Sequence, residues 1–171
     1  MIWLGLGANE GDRQGSLRQG LRRLMEGGVA VEAVSGLYAT APQGVTDQPG
    51  FLNAACRVRT SLGPRAVLAL AKRLEAEAGR GHGPRWAPRP LDIDLLVWAG
   101  GEWNTPDLVI PHPRLHERRF ALVPLVEVDP GLVLPSGARI ADLLARIPPD
   151  SQPVTRVGAG GHGSWATAGL G

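Results

Sequence analysis

Residues 85–98 read RWAPRPLDIDLLVW. Two arginines and two prolines come first, which is typical of a cationic loop. From residue 91 onward apolar and acidic residues alternate, which predicts a strand that buries its leucine and isoleucine side chains. Asp92 and Asp94 then share the opposite face, because side chains two residues apart on a strand point the same way. A loop of positive charge therefore leads directly into a strand that carries two carboxylates on one side.

The elements around this strand predict an α+β fold. Helical spacing of leucines predicts a helix between Asp12 and Gly27, and a second one begins at Pro64. Strands are predicted by β-prone runs at residues 2–7, 29–40, 51–60 and 91–98. The order is that of the ferredoxin-like βαββαβ core, an antiparallel sheet with helices on one face. Additional short C-terminal helices are expected over 118–128 and 140–147.

The length of 171 residues indicates one domain followed by a tail. Residues 1–148 are expected to form the domain. From residue 149 to 171 glycines recur and apolar periodicity is lost, so this segment is predicted to be a disordered tail.

Composition excludes several classes of protein. The 18 basic and 16 acidic residues nearly balance, so charge alone does not indicate a nucleic-acid partner. There is no apolar run long enough to cross a membrane and no signal segment, so we expect a cytoplasmic chain. Cys56 is the only cysteine, which excludes an internal disulfide framework and a thiolate metal cluster. We expect a monomer that acts on small molecules and binds neither nucleic acid nor membrane.

Asp92 and Asp94 are the candidate metal ligands. Two carboxylates a few ångströms apart repel each other unless a cation lies between them. Mg²⁺ suits such a pair because it combines one or two carboxylates with substrate phosphates. Taken alone, the pair is better explained as the solvated face of a strand. The neighbouring arginines favour phosphoryl transfer, which combines magnesium with arginine.

Aromatic and amide side chains are candidates for binding a flat heterocycle. Phe51 and Phe120 lie beside candidate site loops, where their rings could stack on such a ligand, although core packing is the default role. Asn53 shares the strand face of Phe51 and offers both a donor and an acceptor. His112, between two prolines, is interpreted as making a local loop hydrogen bond rather than binding metal.

The segment GLGANEG at residues 5–11 comes close to a dinucleotide-binding fingerprint. Glu10 stands where the third glycine is required, and the following strands do not make a βαβ unit. A tight turn after the first strand is the better interpretation.

The stretch at residues 85–96 resembles the signature of the 6-hydroxymethyl-7,8-dihydropterin pyrophosphokinase family, enzymes of folate biosynthesis. Further matches are Gly7-Ala8-Asn9, the segment DQPGFLNAA at residues 47–55, and Pro111-His112 leading to Arg118 and Phe120. The resemblance covers about residues 1–148 in the right order.

This resemblance implies a ferredoxin-like fold and an ATP-dependent diphosphotransferase that pyrophosphorylates the pterin hydroxymethyl group and releases AMP. It implies that Asp92 and Asp94 hold two Mg²⁺ ions, with ATP as co-substrate. The implied catalytic residues are Arg80, Arg89, Asp92 and Asp94. The implied pterin-binding residues are Thr40, Pro42, Phe51, Asn53, Trp86 and Phe120. The implied nucleotide-binding residues are Lys72, Glu75, Arg80, Arg85, Arg89, His112 and Arg118.

Two other functions remain open from the residues. A palm-like nucleotidyl transferase also places two carboxylates and two metals on an antiparallel sheet, but it releases pyrophosphate instead of AMP. An RNA-binding module on the same fold would need a run of exposed aromatics on the central strands, which this sequence lacks.

Overall fold

The computed structural model describes residues 1–41, 50–79, 90–158 and 163–167. The strands of the described part are β1 (Ile2–Ala8), β2 (Ala30–Val34), β3 (Leu37–Thr40), β4 (Phe51–Arg59), β5 (Asp92–Trp98), β6 (Trp103–Thr105), β7 (Leu108–Ile110) and β8 (Thr155–Val157). The helices are α1 (Arg13–Glu26), α2 (Pro64–Glu77), α3 (Arg119–Val128), α4 (Ile140–Ala145) and α5 (Ser164–Thr167).

The main sheet has the strand order β5-β1-β4-β3-β8, and β2 pairs with the other half of the long strand β4. All of these pairings are antiparallel. The first five strands and two helices therefore form the predicted βαββαβ core, which confirms the ferredoxin-like α+β class. Strands β6 and β7 pair only with each other in a separate hairpin within the described residues.

The run predicted as one strand over 29–40 is two strands, because the chain bulges at Ser35 and Gly36. Ser35 is fully buried, and its hydroxyl accepts a hydrogen bond from the Ala55 backbone N–H at 2.9 Å. The same hydroxyl donates to the Gly36 carbonyl at 2.7 Å. This side chain therefore satisfies backbone groups that the interrupted ladder leaves unpaired.

Each face of the sheet carries its own hydrophobic core. Leucines of α1 and α2 pack on the face that holds Ile2, Leu4 and Leu6 of β1. Helices α3 and α4 cover the other face, around Trp3 and Leu96. Alternation along β1 allows both cores, because successive side chains point to opposite faces. The short C-terminal helices are thus present as predicted, and they form a second layer.

The ends of α1 follow the predicted signals. Asp12 precedes the helix and accepts a hydrogen bond from the Gly15 backbone N–H at 3.0 Å, which satisfies one of the free donors of the first turn. After the helix, Gly28 has a φ of +97°, a conformation that glycine adopts without steric cost. No helix in the described ranges is long and apolar enough to span a membrane.

The segment after residue 148, predicted to be a disordered tail, contains secondary structure in its described part. Strand β8 pairs with β3, and α5 buries Trp165 beside α1. The indole N–H of Trp165 donates to the Ser35 carbonyl at 2.8 Å. The short strand pairs with an edge of the sheet, and the tryptophan packs into a core that other elements form. The glycine content of the segment does not reveal these contacts.

Candidate functional site

The candidate site lies on the sheet face that also carries α3, beside the start of that helix. Gly7 of β1 is paired with Asn53 of β4 on one side and with Asp92 of β5 on the other. Paired residues on neighbouring strands project from the same face. The amide and the carboxylate therefore stand in one row across three strands, with a glycine between them. We call the row formed by Asn53, Gly7 and Asp92, together with the residues around it on this sheet face, the platform.

Gly7 keeps the middle of the platform flat. A Cβ atom at this position would lie 3.3 Å from Asn53 Oδ1 and 3.7 Å from Phe51 Cδ1. Neighbouring strands are about 4.8 Å apart, so the backbones of Asn53 and Asp92 are separated by about 10 Å. The absence of a side chain at Gly7 leaves room for the Asn53 amide and the Phe51 ring to lie close to the backbone of β1. The sequence interpretation of residues 5–11 as a turn missed this role of Gly7.

The amide side of the platform contains three of the predicted pterin residues. Thr40 pairs with Phe51 across β3 and β4, and Asn53 lies two residues further on the same face. Asn53 is buried, and its Nδ2 donates to Thr40 Oγ1 at 2.9 Å. This bond holds the amide in one orientation, so Asn53 can present a defined donor and acceptor pattern to a ring edge.

The carboxylate side carries Asp92 and Asp94. Both are half-buried, while Ile93 and Leu95 point to the opposite core, as the alternation predicts. Among the described residues no group of three His, Cys, Asp or Glu side chains could hold a metal by itself. Two carboxylates nevertheless fit Mg²⁺, which takes one or two from a protein and completes its shell with water and phosphate oxygens. The pair is suited to a magnesium ion shared with a phosphate substrate.

His112 lies near the carboxylates as a neutral donor. Its backbone N–H donates to the Leu96 carbonyl at 2.9 Å, which ties it to β5. Burial, with help from Arg118 and Arg114, lowers the pKa of the imidazole to about 4, against an opposing effect of Asp92. Its Nδ1 accepts from the Arg114 backbone N–H at 3.2 Å, so the hydrogen is on Nε2. The predicted local hydrogen bond is confirmed.

Arg118 and Phe120 come to the same place from the start of α3. The Arg118 guanidinium carbon lies 5.5 Å from the centre of the Phe120 ring, a cation–π distance. Burial lowers the pKa of Arg118 and Arg114 adds to this, whereas Asp94 and Asp92 oppose it. Within the described residues its buried Nε has no hydrogen-bond partner. A buried guanidinium N–H without a partner is suited to binding an anionic oxygen.

Lys72 and Glu75 are placed differently from the other predicted residues. Both lie on α2, which packs on the sheet face opposite the platform. Glu75 is buried, and Lys72 Nζ lies 4.0 Å from its Oε1 with a largely exposed side chain. The structure does not bring these two residues onto the platform, and their contact with a nucleotide stays a prediction.

Five predicted site residues lie outside the described residues. They are Pro42, Arg80, Arg85, Trp86 and Arg89.

Comparison with known proteins identifies a family of related sequences. The sequence model of the 7,8-dihydro-6-hydroxymethylpterin-pyrophosphokinase (HPPK) family matches residues 3–130. The 2-amino-4-hydroxy-6-hydroxymethyldihydropteridine pyrophosphokinase of Bacillus subtilis is 42% identical over 129 residues, which cover 75% of this chain and 77% of the relative. The mitochondrial folate synthesis bifunctional protein of Arabidopsis thaliana is 47% identical over 127 residues, or 74% of this chain.

The chain is shorter than some of the proteins that it matches. It spans 23% of the Arabidopsis bifunctional protein. A crystal structure of HPPK-DHPS in complex with substrates superimposes with a TM-score of 0.67 at 14% identity, covering 84% of this chain and 42% of that one. At that identity the superposition supports the fold alone.

Proposed function

Because the chain belongs to the 7,8-dihydro-6-hydroxymethylpterin-pyrophosphokinase family, we propose that it transfers the pyrophosphoryl group of ATP to the hydroxymethyl group of 6-hydroxymethyl-7,8-dihydropterin. The products are AMP and the pterin diphosphate. The observation that carries this proposal is the platform, where Asn53 and Asp92 flank Gly7 on one sheet face. A ring-binding group and a phosphate-binding group thereby lie side by side, as the transfer requires.

The pterin ring lies over Gly7, between the faces of Phe51 and Phe120. Stacking between two aromatic faces favours a flat heterocycle. Asn53, oriented by Thr40, reads the hydrogen-bonding edge of the ring. A ligand that lacks this edge leaves a buried amide unsatisfied, which is the source of selectivity. Pro42 and Trp86 complete this group on the basis of the family resemblance.

The triphosphate lies on the carboxylate side. Asp92 and Asp94 hold two Mg²⁺ ions, which when bound supply positive charge to the phosphate oxygens. Arg118 contributes its Nε–H, which has no hydrogen-bond partner in the described part of the chain, and His112 its Nε2–H as phosphate donors. Arg80, Arg85 and Arg89 follow from the family resemblance as further phosphate contacts, and Lys72 and Glu75 as nucleotide contacts.

The reaction joins the two sides of the platform. The pterin hydroxyl oxygen forms a bond to the β-phosphorus of ATP, the bond from that phosphorus to the α,β-bridging oxygen breaks, and AMP leaves. The hydroxyl proton is released. The residues of the chain align the attacking oxygen with the leaving one and place donors around the phosphates, which are the main protein contributions to phosphoryl transfer.

A product assay tests the proposal. The purified chain is incubated with ATP, Mg²⁺ and 6-hydroxymethyl-7,8-dihydropterin, and AMP is measured against controls that lack the pterin or the metal. AMP that forms only in the complete mixture supports the proposal. Pyrophosphate release instead of AMP would favour the nucleotidyl transferase. Salt-sensitive RNA binding without AMP would favour the RNA-binding module.

Substitution of Asp94 gives the sharpest mutational test. We expect Asp94→Asn to lower AMP formation by about 1,000-fold or more, because it removes a charged ligand where phosphate charge must be balanced. Asp142→Asn is the matched control, since Asp142 is exposed on α4 and is not one of the platform residues. An Asp94→Asn variant as active as the control would refute the assignment. Unchanged thermal unfolding of both variants excludes loss of the fold as the cause.

We also propose that the chain acts as a monomer, since the pairings of β4, β1 and β5 within one chain are enough to form the platform. Sedimentation of the active chain tests this. Activity that disappears on dilution together with a dimer would contradict it.

A further inference from the structure

We propose that Gln152 is a positioning residue that sets Arg118 and Phe120 in the site. Gln152 lies after residue 130, where the family match ends. The inference rests on the proposed function, because the two residues that it positions are assigned to the nucleotide and the pterin.

Gln152 holds the backbone on both sides of Arg118. Its Nε2 donates to the Glu117 carbonyl at 2.9 Å, and its Oε1 accepts from the Arg119 backbone N–H at 2.9 Å. Arg118 is the one extended residue between the short 3₁₀ helix Leu115–Glu117 and α3. One side-chain amide therefore spans the junction from which the Arg118 side chain leaves.

The bond to Arg119 also caps α3. Among the residues that the structure describes, the side chain of Arg118 at the N-cap position makes no cap hydrogen bond. The Arg119 N–H belongs to the first turn, whose donors have no partner within a helix. Gln152, which lies 33 positions further along the chain, supplies the acceptor for this N–H. Without it the first turn of α3 loses a stabilising contact, and Phe120 lies in that turn.

The contact is reinforced in the reverse direction. The Arg119 guanidinium donates to the Gln152 carbonyl at 2.8 Å and to the Pro149 carbonyl at 3.4 Å. Backbone and side chain of Gln152 are thus both tied to the start of α3. Each of the two residues therefore donates to or accepts from the other through both its backbone and its side chain. A chance contact at the surface does not require such a reciprocal pair of hydrogen bonds.

The C-terminal segment itself is anchored to the pterin side of the platform. Strand β8 pairs with β3, which carries Thr40 at its end. Arg156 of β8 lies 3.3 Å from the Glu127 carboxylate, which accepts from Tyr38 Oη at 2.7 Å. Gln152 therefore sits between two fixed points, β3 and the start of α3. It couples the strand that orients Asn53 to the turn that carries Phe120.

The test compares Gln152→Met with Ser151→Ala. Methionine keeps the side-chain length and removes both amide hydrogen bonds. Ser151 is its exposed neighbour, and its hydroxyl donates to the Pro148 carbonyl and not to the start of α3. We expect Gln152→Met to raise the KM for the pterin about tenfold, equivalent to about 1.4 kcal/mol, with a smaller change in kcat. Ser151→Ala should match the wild type.

Two outcomes of the kinetics are decisive. A raised KM in Gln152→Met, measured on chain that is fully folded at the assay temperature, supports positioning. Lower thermal stability with an unchanged KM shows a purely structural role and overturns the proposal.

Amide hydrogen exchange tests the same contact without substrates. In the ligand-free chain, Gln152→Met should speed exchange of the Arg119 amide about tenfold relative to Ser151→Ala. Unchanged exchange overturns the proposal even if the wild type makes AMP. If the wild type makes no AMP but Arg119 exchange responds, the positioning contact stands and the proposed function fails.

Discussion

At the scale of single residues, the platform depends on groups whose charge state or orientation is set by one or two neighbours. Asn53 is oriented by Thr40, and His112 is kept neutral by burial and by two nearby arginines. Cys56 shows the same principle away from the site, since complete burial raises its thiol pKa to about 12. It is a core residue and not a nucleophile.

The neutrality of His112 predicts a pH dependence of stability. Its folded-state pKa of about 4 lies below the ordinary 6.5, so the unfolded chain takes up a proton first as pH falls. The free energy of unfolding should therefore decrease between these two values. His112→Asn keeps an acceptor for the Arg114 N–H but cannot become charged, so its decrease should be smaller. Urea unfolding at several pH values measures the difference, and parallel curves for both proteins would contradict the expectation.

At the scale of elements, β1 lies between β4, which carries Asn53, and β5, which carries Asp92. The leucines on one face of β1 pack in the core under α1 and α2. On the other face, Gly7 has no side chain and leaves space next to Asn53. A strand normally loses stability from an internal glycine. In β1 the missing side chain leaves room for the Asn53 amide and, in the proposed function, for a ligand over the backbone.

Gly7→Ala tests this role of β1. The added Cβ would lie 3.3 Å from Asn53 Oδ1, so the amide must move and its bond to Thr40 weakens. We expect the KM for the pterin to rise about tenfold, in the range of overpacking effects of about 1–3 kcal/mol. Gly131→Ala is the control, because a Cβ there meets nothing within 4 Å. Equal KM values for the two variants would mean that the ligand does not lie over Gly7.

At the scale of the whole molecule, the C-terminal segment joins parts of the fold that are distant in sequence. It adds β8 to the sheet edge, holds the start of α3 through Gln152, and buries Trp165 beside α1. Arg18 of α1 donates from Nε to the Trp165 carbonyl at 2.9 Å. The segment therefore contacts elements of both hydrophobic layers, and we expect it to contribute to the free energy of unfolding of the domain.

Trp165→Ala tests this contribution. It removes a buried indole and its bond to the Ser35 carbonyl, so the free energy of unfolding should fall by about 3 kcal/mol. Thr167→Ala, an exposed change in the same short helix, should have little effect. Urea unfolding followed by circular dichroism measures both variants. Equal stability of the two would mean that this segment is detached in solution, as its glycine-rich sequence suggested.

Local patterns in the sequence determined the element types, their order and the carboxylate pair. Period-two alternation placed Asp92 and Asp94 on one face, and Asp12 and Pro64 marked where helices begin. These signals act between residues within a few positions of one another, so they survive without knowledge of the fold. The resemblance to a known family rested on the same kind of local signature.

Only the tertiary structure decided which distant residues meet. Pairing across the sheet put Gly7 between Asn53 and Asp92, and packing put α3 and α4 on the second face. The pairing of β8 with β3 and the contact of Gln152 with Arg119 depend on surfaces formed by other elements. Such contacts are selected by shape, burial and unsatisfied hydrogen bonds in the folded chain, and no short sequence pattern encodes them.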